Sequence, residues 1–341
     1  MKRVYYAVLP CVLLLFFCVS FRVFAQAPAP QSSGGNEIRS SRSLFPALYF
    51  SENLAALRVQ NEGKPYGVSS YGEIRAAAQA NEESLSLLLN NDILAYYGHP
   101  NSKNMGILGR YSIEELDAKL TALAAEYESV SKGRKVRKAF YIIYGTVWPE
   151  GEIGILKDET VLKYIRYGLE NDILVFLDHQ IGRYDPIGSL KKLLPWLQYP
   201  NVHLALDPEW RTTRPMQEIG TVSAEELNQA QKIMEDYIIE HHIPGERLLV
   251  IHQFNWRMIS DRERVSTAFE RVRLVHCADG FGNPHLKQDS YAFNAAAANM
   301  PVKGFKLFYD SGIPGAGYDS PLLKPEEVYA LNPRPYIIIY Q

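Results

Sequence analysis

Cysteine is scarce in this sequence. The chain has three cysteines, and two of them, Cys11 and Cys18, fall in an N-terminal segment typical of a secretory signal. Once that segment is removed, Cys277 is alone and cannot form an internal disulfide. The mature protein must therefore rely on its hydrophobic core, and 341 residues with 47% apolar content are enough to bury one.

Positive charge is not in excess either. The formal net charge is −2, and loss of Lys2, Arg3 and Arg22 with the signal, with no acid removed, changes it to −5. Nucleic-acid binding depends on clustered basic residues that neutralise phosphates. We therefore do not expect nucleic acid as a partner.

The N-terminal apolar run is too short for a typical membrane span. Lys2 and Arg3 precede apolar residues 8–19, and residues 23–25 offer a small-x-Ala cleavage site. A membrane anchor is the alternative, but Arg22 interrupts the end of the run. We predict that residues 1–25 are a cleaved signal peptide, that no stable transmembrane segment remains, and that the protein is exported to the periplasm or the exterior.

The rest of the chain divides into three parts. Residues 26–43 are rich in Ala, Pro, Ser and Gly, which predicts a flexible linker. Residues 44–92 form an N-terminal extension with a helical pattern at 73–89. In residues 93–341, apolar strands alternate with amphipathic helices, which is typical of a parallel sheet.

The alternation repeats eight times and predicts an α/β fold, the (β/α)8 TIM barrel. The predicted strands are residues 93–97, 139–144, 173–177, 202–206, 248–251, 273–277, 304–309 and 336–340. The predicted helices are residues 112–129, 158–170, 189–197, 223–241, 261–271, 288–299 and 324–331. No eighth helix follows the last strand, so we expect helix 73–89 to take its place beside strands eight and one.

Two acids follow the fourth predicted strand. Asp207 and Glu209 are two positions apart, so strand alternation would direct both to one face, with Cα atoms roughly 6–7 Å apart. With no base beside them, their repulsion would raise one pKa and provide an acid next to a base. In the alternative interpretation, Asp207 caps a turn and Glu209 lies in solvent.

Other polar residues follow the remaining strands, where barrel enzymes carry their functional groups. The candidate catalytic acids are Glu209, Asp207, Asp279 and Asp310. The candidate substrate-binding residues are Tyr97, Trp148, Asp178, Gln180, Trp210, His252, Gln253, Asn255, Trp256 and Lys306. The three tryptophans suit sugar rings, which stack on flat aromatic faces, although each ring could instead close the top of the core.

Several motifs together resemble a family of exported bacterial barrel proteins. They are Tyr97-Gly98-x-Pro100, Met105-Gly106-x-Leu108-Gly109, Leu206-Asp207-Pro208-Glu209-Trp210, His252-Gln253-Phe254, Asp279-Gly280-x-Gly282, Phe308-Tyr309-Asp310 and Tyr340-Gln341. The resemblance covers residues 93–341 and implies the barrel fold and export, but no particular reaction. The layout is also similar to glycoside hydrolase barrels, which have one carboxylate at strand four and another at strand six or seven.

The favoured hypothesis is a glycoside hydrolase that acts on a glycan or cell-wall saccharide without a cofactor. Glu209 would be the general acid, and Asp310 or Asp279 its partner. Asp207 and Asp178 would adjust its pKa or bind sugar hydroxyls.

Two alternatives stay open. In the first, Asp178, Asp207, Glu209, His252 and Asp279 hold a divalent cation for a sugar isomerase or hydrolase. The absence of a His-Glu-x-x-His spacing disfavours it. In the second, the barrel binds a glycan without cleaving it.

Overall fold

Eight parallel strands close into a barrel in the computed structural model, which describes residues 87–341. The strands are β1 (Asn91–Gly98), β2 (Lys135–Val147), β3 (Ile173–Gln180), β4 (Val202–Asp207), β5 (Arg247–Gln253), β6 (Val272–Ala278), β7 (Lys303–Leu307) and β8 (Ile337–Tyr340). Each pairs with its sequence neighbours, and β1 also pairs with β8, which closes the barrel. The predicted (β/α)8 fold and all eight strands are confirmed. The predicted signal peptide and linker lie outside the described residues.

Helices connect most of the strands on the outside of the barrel. A short helix, α1 (Leu87–Asn90), precedes β1. The connecting helices are α2 (Ile113–Val130), α3 (Asp158–Glu170), α4 (Pro186–Leu193), α5 (Ala224–Glu240), α6 (Pro284–Ala295) and α7 (Pro325–Tyr329). Capping boxes begin two of these helices: Ser112 with Glu115 at α2, and Ser223 with Glu226 at α5. No helix in residues 87–341 is long and apolar enough to cross a membrane.

The prediction of a helix over residues 261–271 is wrong. A short 3-10 helix, Arg262–Arg264, follows a left-handed Asp261, and the chain then has no regular secondary structure until β6. Side chains of α5 satisfy the backbone of this segment: Asn228 Oδ1 accepts from Ser266 N at 2.7 Å, and Glu235 Oε1 accepts from Arg271 N at 3.0 Å. These bonds replace the ones that a helix would have made within the segment.

Alternation along the strands separates two apolar clusters. Residues such as Ala95, Tyr141 and Phe176 fill the barrel interior, whereas Leu94, Phe140 and Val175 pack beneath the helices. Because the period is two, the interior positions at the carboxyl ends of the strands are fixed by the same pattern. Those positions carry the polar side chains of the candidate site.

The helix predicted over residues 73–89 lies mostly outside the described residues. Its last part belongs to α1, where Leu87 and Leu88 are buried with the interior cluster. On the outer side of β1 and β8, the Tyr127 hydroxyl of α2 and the Tyr340 hydroxyl of β8 are 2.8 Å apart. The ring of Tyr329 in α7 meets that of Tyr127 edge to face at 5.2 Å, so α2 and α7 are in contact here.

Candidate active site

Asp207 is the last residue of β4, and Glu209 lies just beyond it in a 3-10 helix, Pro208–Trp210. The strand therefore ends before Glu209, and strand alternation does not determine the direction of its side chain. Asp207 caps this short helix, because its Oδ1 accepts from Glu209 N at 3.3 Å. Asp207 is only 3% exposed, and Glu209 is half-buried.

The pKa values of both carboxyl groups are raised. Burial raises the pKa of Glu209 well above its usual value, and the neighbouring Asp207 and Asp279 raise it further. Burial also raises the pKa of Asp207 to about 7, with Asp178 and Asp279 adding to the shift and His252 opposing it. The sequence predicted one raised pKa at the end of β4, beside a carboxylate that could act as a base. Burial instead raises the pKa of both groups.

Asp178 of β3 is fully buried and accepts a hydrogen bond from the Tyr97 hydroxyl at 3.0 Å. The Lys306 ammonium lies 3.7 Å from the centre of the Tyr97 ring. Burial raises the pKa of Asp178, although the positive charges of His252 and Lys306 oppose this. Residues from β1, β3, β5 and β7 thus interact at the centre of the barrel.

A tight loop after β1 holds Tyr97 in place. The chain folds back so that Ile107 N donates to Tyr97 O at 2.8 Å. Gly106 has φ +79°, and a Cβ there would lie 2.3 Å from Tyr97 O. The glycine in the Met105-Gly106 motif is therefore required by this close approach.

His252 of β5 connects three elements of the site. Its Nε2 is 2.8 Å from the Tyr141 hydroxyl and 3.8 Å from Asp178 Oδ2, and its Nδ1 is 3.3 Å from Asp279 Oδ2. Burial disfavours the imidazolium, but the interactions with Asp279, Cys277 and Asp178 raise the pKa of His252 well above its usual value. A protonated His252 between two carboxylates compensates part of their negative charge.

Two carboxylate oxygens in this cluster have no hydrogen-bond partner among residues 87–341. They are Asp178 Oδ1 and Asp279 Oδ1, and both oxygen atoms are buried. Unpartnered buried acceptors are costly, so they mark positions at which a ligand hydroxyl could donate.

Not every candidate acid joins the cluster. Asp310 is exposed on the loop after β7, where its Oδ1 accepts from Gly312 N at 2.8 Å. Asp310 therefore caps its own loop rather than joining the buried acids. At β7 the residue that reaches the cluster is Lys306, which is 4% exposed.

Three candidate binding residues support local structure. Gln180 Oε1 accepts from Val147 N at 2.8 Å, which joins the ends of β3 and β2. Gln253 Oε1 is 2.8 Å from His276 Nε2 on the outer side of β5 and β6, away from His252. Asn255 Oδ1 accepts from Arg257 N at 3.0 Å and begins a 3-10 helix.

The three candidate tryptophans all follow strand ends. Trp148 and Trp256 are 55% and 66% exposed, so neither closes the top of the core. Trp210 is half-buried next to Glu209. Exposed indole rings of this kind are available to a ligand.

Lys287 and Asp319 form a buried ion pair that was not predicted from the sequence. Lys287 Nζ lies 3.3 Å from Asp319 Oδ2 and donates to the carbonyls of Gly280 and Lys306. Asp319 accepts from Gly282 N at 3.0 Å and Phe308 N at 2.9 Å. The pair therefore fixes the chain beside Asp279 and Lys306. Only the fold brings its partners together, so no local motif could have indicated it.

A metal site was one alternative for these acids. Within residues 87–341, no three His, Cys, Asp or Glu side chains are grouped so that they could hold a metal ion. The cluster instead contains its own cations, His252 and Lys306, among the carboxylates.

The fold and this cluster define a (β/α)8 barrel with buried carboxyl groups at the carboxyl ends of its strands. The chain matches no protein-family model and no curated protein. Among solved structures it is similar to oxaloacetate acetylhydrolase bound to 3,3-difluorooxalacetate, with 14% identity, 76% of this chain and 80% of that chain covered, and a TM-score of 0.45.

It is also similar to two chitinases. The ICChI chitinase from Ipomoea carnea has 10% identity, coverage of 73% of this chain and 94% of that chain, and a TM-score of 0.42. The Chromobacterium violaceum chitinase has 12% identity, coverage of 63% and 68%, and a TM-score of 0.36. At these values the likeness does not bear on the reaction, and the function must be argued from the site itself.

Proposed function

We propose that this protein is a glycoside hydrolase that cleaves a glycan with carboxyl groups at the barrel mouth. The observation that carries the proposal is the burial of Asp178, Asp207 and Asp279 together at the carboxyl ends of the strands, with Glu209 directly after β4. Burial and the neighbouring Asp207 and Asp279 favour a protonated Glu209. A glycosidase needs one protonated carboxyl group beside an ionised one.

Glu209 is the general acid in this mechanism. It donates its proton to the glycosidic oxygen as the bond from that oxygen to the anomeric carbon breaks. Glu209 follows β4 and is half-buried, so it combines a raised pKa with partial access to solvent.

Asp279 is its partner, either attacking the anomeric carbon or taking a proton from the attacking water. It is favoured over Asp310, which is exposed and caps its own loop. The contact with His252 at 3.3 Å orients Asp279, and its Oδ1 is free of hydrogen bonds within the described residues.

Asp178 and Asp207 support this pair. Asp207 raises the pKa of Glu209, and Asp178 Oδ1 is available to a sugar hydroxyl. Lys306 and His252 limit the repulsion among the acids.

The test is mass spectrometry of products after incubation with a broad panel of oligosaccharides and cell-wall fragments. The parent protein should cleave a glycan, while Glu209→Gln and Asp279→Asn should lose at least about a thousandfold of the rate. Asp310→Asn serves as the matched control and should retain activity. Unchanged turnover by Glu209→Gln would refute the assignment. Binding without cleavage by the parent would favour the glycan-binding alternative. Activity that is lost only when a chelator is added would favour the metal-dependent alternative.

Export is part of the same proposal. It is supported by the basic start, the apolar run and the cleavage site within residues 1–25. N-terminal sequencing of the protein recovered from its native host should begin at Gln26. Recovery of a chain that still begins at Met1 would overturn it.

A further inference from the structure

The exposed aromatic side chains are unevenly distributed over the described barrel. Seven aromatic residues of this part of the chain have large exposed fractions: Tyr111, Trp148, Tyr184, Trp256, Phe281, Phe293 and Tyr318. All but Phe293 lie in the segments that follow the carboxyl ends of the strands. Apolar surface left exposed at one end of a barrel indicates a binding surface there.

These six residues form two groups around the mouth. Tyr111, Trp148 and Tyr184 follow β1, β2 and β3, and we call them the first arc. Trp256, Phe281 and Tyr318 follow β5, β6 and β7, and we call them the second arc. In an eight-stranded barrel, strand n lies opposite strand n + 4, so each member of one arc has a counterpart across the mouth.

Contacts within the described residues support the rings in each arc. Trp148 lies against Gly154, where an added Cβ would be 2.6 Å from the indole nitrogen. The Tyr184 hydroxyl donates to Glu152, which lies between Trp148 and Gly154, and this bond joins the loops after β2 and β3. In the second arc, Phe281 meets Phe308 edge to face at 6.0 Å and lies against Gly317. Aromatic residues that are supported and exposed lose little conformational entropy when a ligand stacks on them.

The carboxyl groups lie between the arcs. Asp178 lies near the end of β3, Asp207 ends β4, and Asp279 and Glu209 directly follow β6 and β4. Asp178, Asp207 and Asp279 are buried. A ligand that contacts only the acids would leave both arcs unused. A chain of sugars that extends past the acids in both directions would use both.

We propose that the ligand of this site is an extended sugar chain that contacts both arcs, so that the enzyme cleaves internal bonds of a polysaccharide. This inference rests on the proposed glycosidase function and adds the substrate class and the mode of attack. The bond over Glu209 and Asp279 lies within the chain, with sugars stacked on aromatic faces on either side. An enzyme that removes single terminal sugars would need only one of these sides.

The test measures binding of Glu209→Gln to an array of oligosaccharides and cell-wall glycan fragments of one to eight sugars. We expect affinity to rise with chain length for one glycan type. Trp148→Ala from the first arc and Tyr318→Ala from the second should each lower affinity for the longest chain by about tenfold, and the double variant by more. Ile239→Ala, an exposed apolar residue on α5, is the matched control and should not change the affinity.

The parent protein supplies the second measurement on the same glycan. Its first products should be internal fragments of several sugars. Release of single terminal sugars, equal binding of short and long chains, or loss of affinity in only one arc variant would each overturn the extended-chain proposal alone. Binding to no glycan would overturn it together with the proposed glycosidase function. Cleavage that persists in Glu209→Gln would instead overturn the proposed catalytic assignment, so the two failures are distinguishable.

Discussion

His252 Nδ1 lies 3.3 Å from Asp279 Oδ2, and both side chains are buried at the end of the barrel interior. Because Asp279 stabilises the imidazolium, Asp279→Asn should lower the pKa of His252. Titration of the His252 ring by NMR would measure this, with the signal assigned through His252→Gln. Asp310 is an exposed acid on the loop after β7, so Asp310→Asn should leave the titration of His252 unchanged. An unchanged His252 pKa in Asp279→Asn would show that this contact does not control its charge.

The raised pKa of Glu209 predicts a specific pH dependence. As a general acid Glu209 must be protonated, so kcat/KM should fall as the pH rises through its apparent pKa. Asp207 raises that pKa, and therefore Asp207→Asn should move the alkaline limb of the profile to lower pH. Because the carboxyl groups interact, the pH of this alkaline limb is set by all of them together rather than by one residue. An alkaline limb that stays in place in Asp207→Asn would contradict this electrostatic coupling.

The pattern of buried positions explains why the barrel was predictable. Strands with alternating interior and exterior faces, such as β3, and capping boxes such as Ser112 with Glu115 are local signals, and local signals determine the elements. The absence of a helix after Arg264 was not predictable from local signals. The backbone of this segment is satisfied by Asn228 and Glu235 of α5, and the sequence does not reveal such contacts.

The candidate site was predictable to a similar degree. Asp178, Asp207, His252 and Asp279 occupy interior positions at strand ends, so the period of two indicated them. Gln253 is one position further along β5 and faces outward, where it meets His276.

The raised pKa of Asp207 also predicts how stability depends on pH. In the folded protein the pKa is about 7, compared with 3.8 for the ordinary group, so the folded state binds the proton more tightly than the unfolded state. Stability therefore falls as the pH rises between these two values, and the cost is complete above about pH 7. Asp207→Asn, which retains an oxygen to cap Glu209 N, should increase the free energy of unfolding by about 1–4 kcal/mol at pH 8.

Urea unfolding at pH 5 and pH 8 would measure this effect. The gain from Asp207→Asn should be larger at pH 8, because part of the cost is absent at pH 5. Glu218 is an exposed acid in the segment between β4 and α5. In Glu218→Gln the free energy of unfolding should show no gain that grows with pH. A gain that is the same at both pH values would show that the ionisation of Asp207 is not its cause.

The buried pair of Lys287 and Asp319 should contribute strongly to stability. Each side chain is 1% exposed, so Lys287→Met leaves the Asp319 carboxylate buried without its counterion. We expect a loss of about 3–5 kcal/mol in the free energy of unfolding.

Lys232→Met is the matched control, since Lys232 pairs with Asp236 on the surface of α5 and both side chains are more than half exposed. Exposed pairs contribute only about 0–1 kcal/mol, so that variant should unfold almost as the parent does. Equal losses in the two variants would show that burial does not determine the importance of Lys287. If Lys287→Met loses stability as expected, the ends of β6 and β7 depend on an ion pair outside the catalytic cluster.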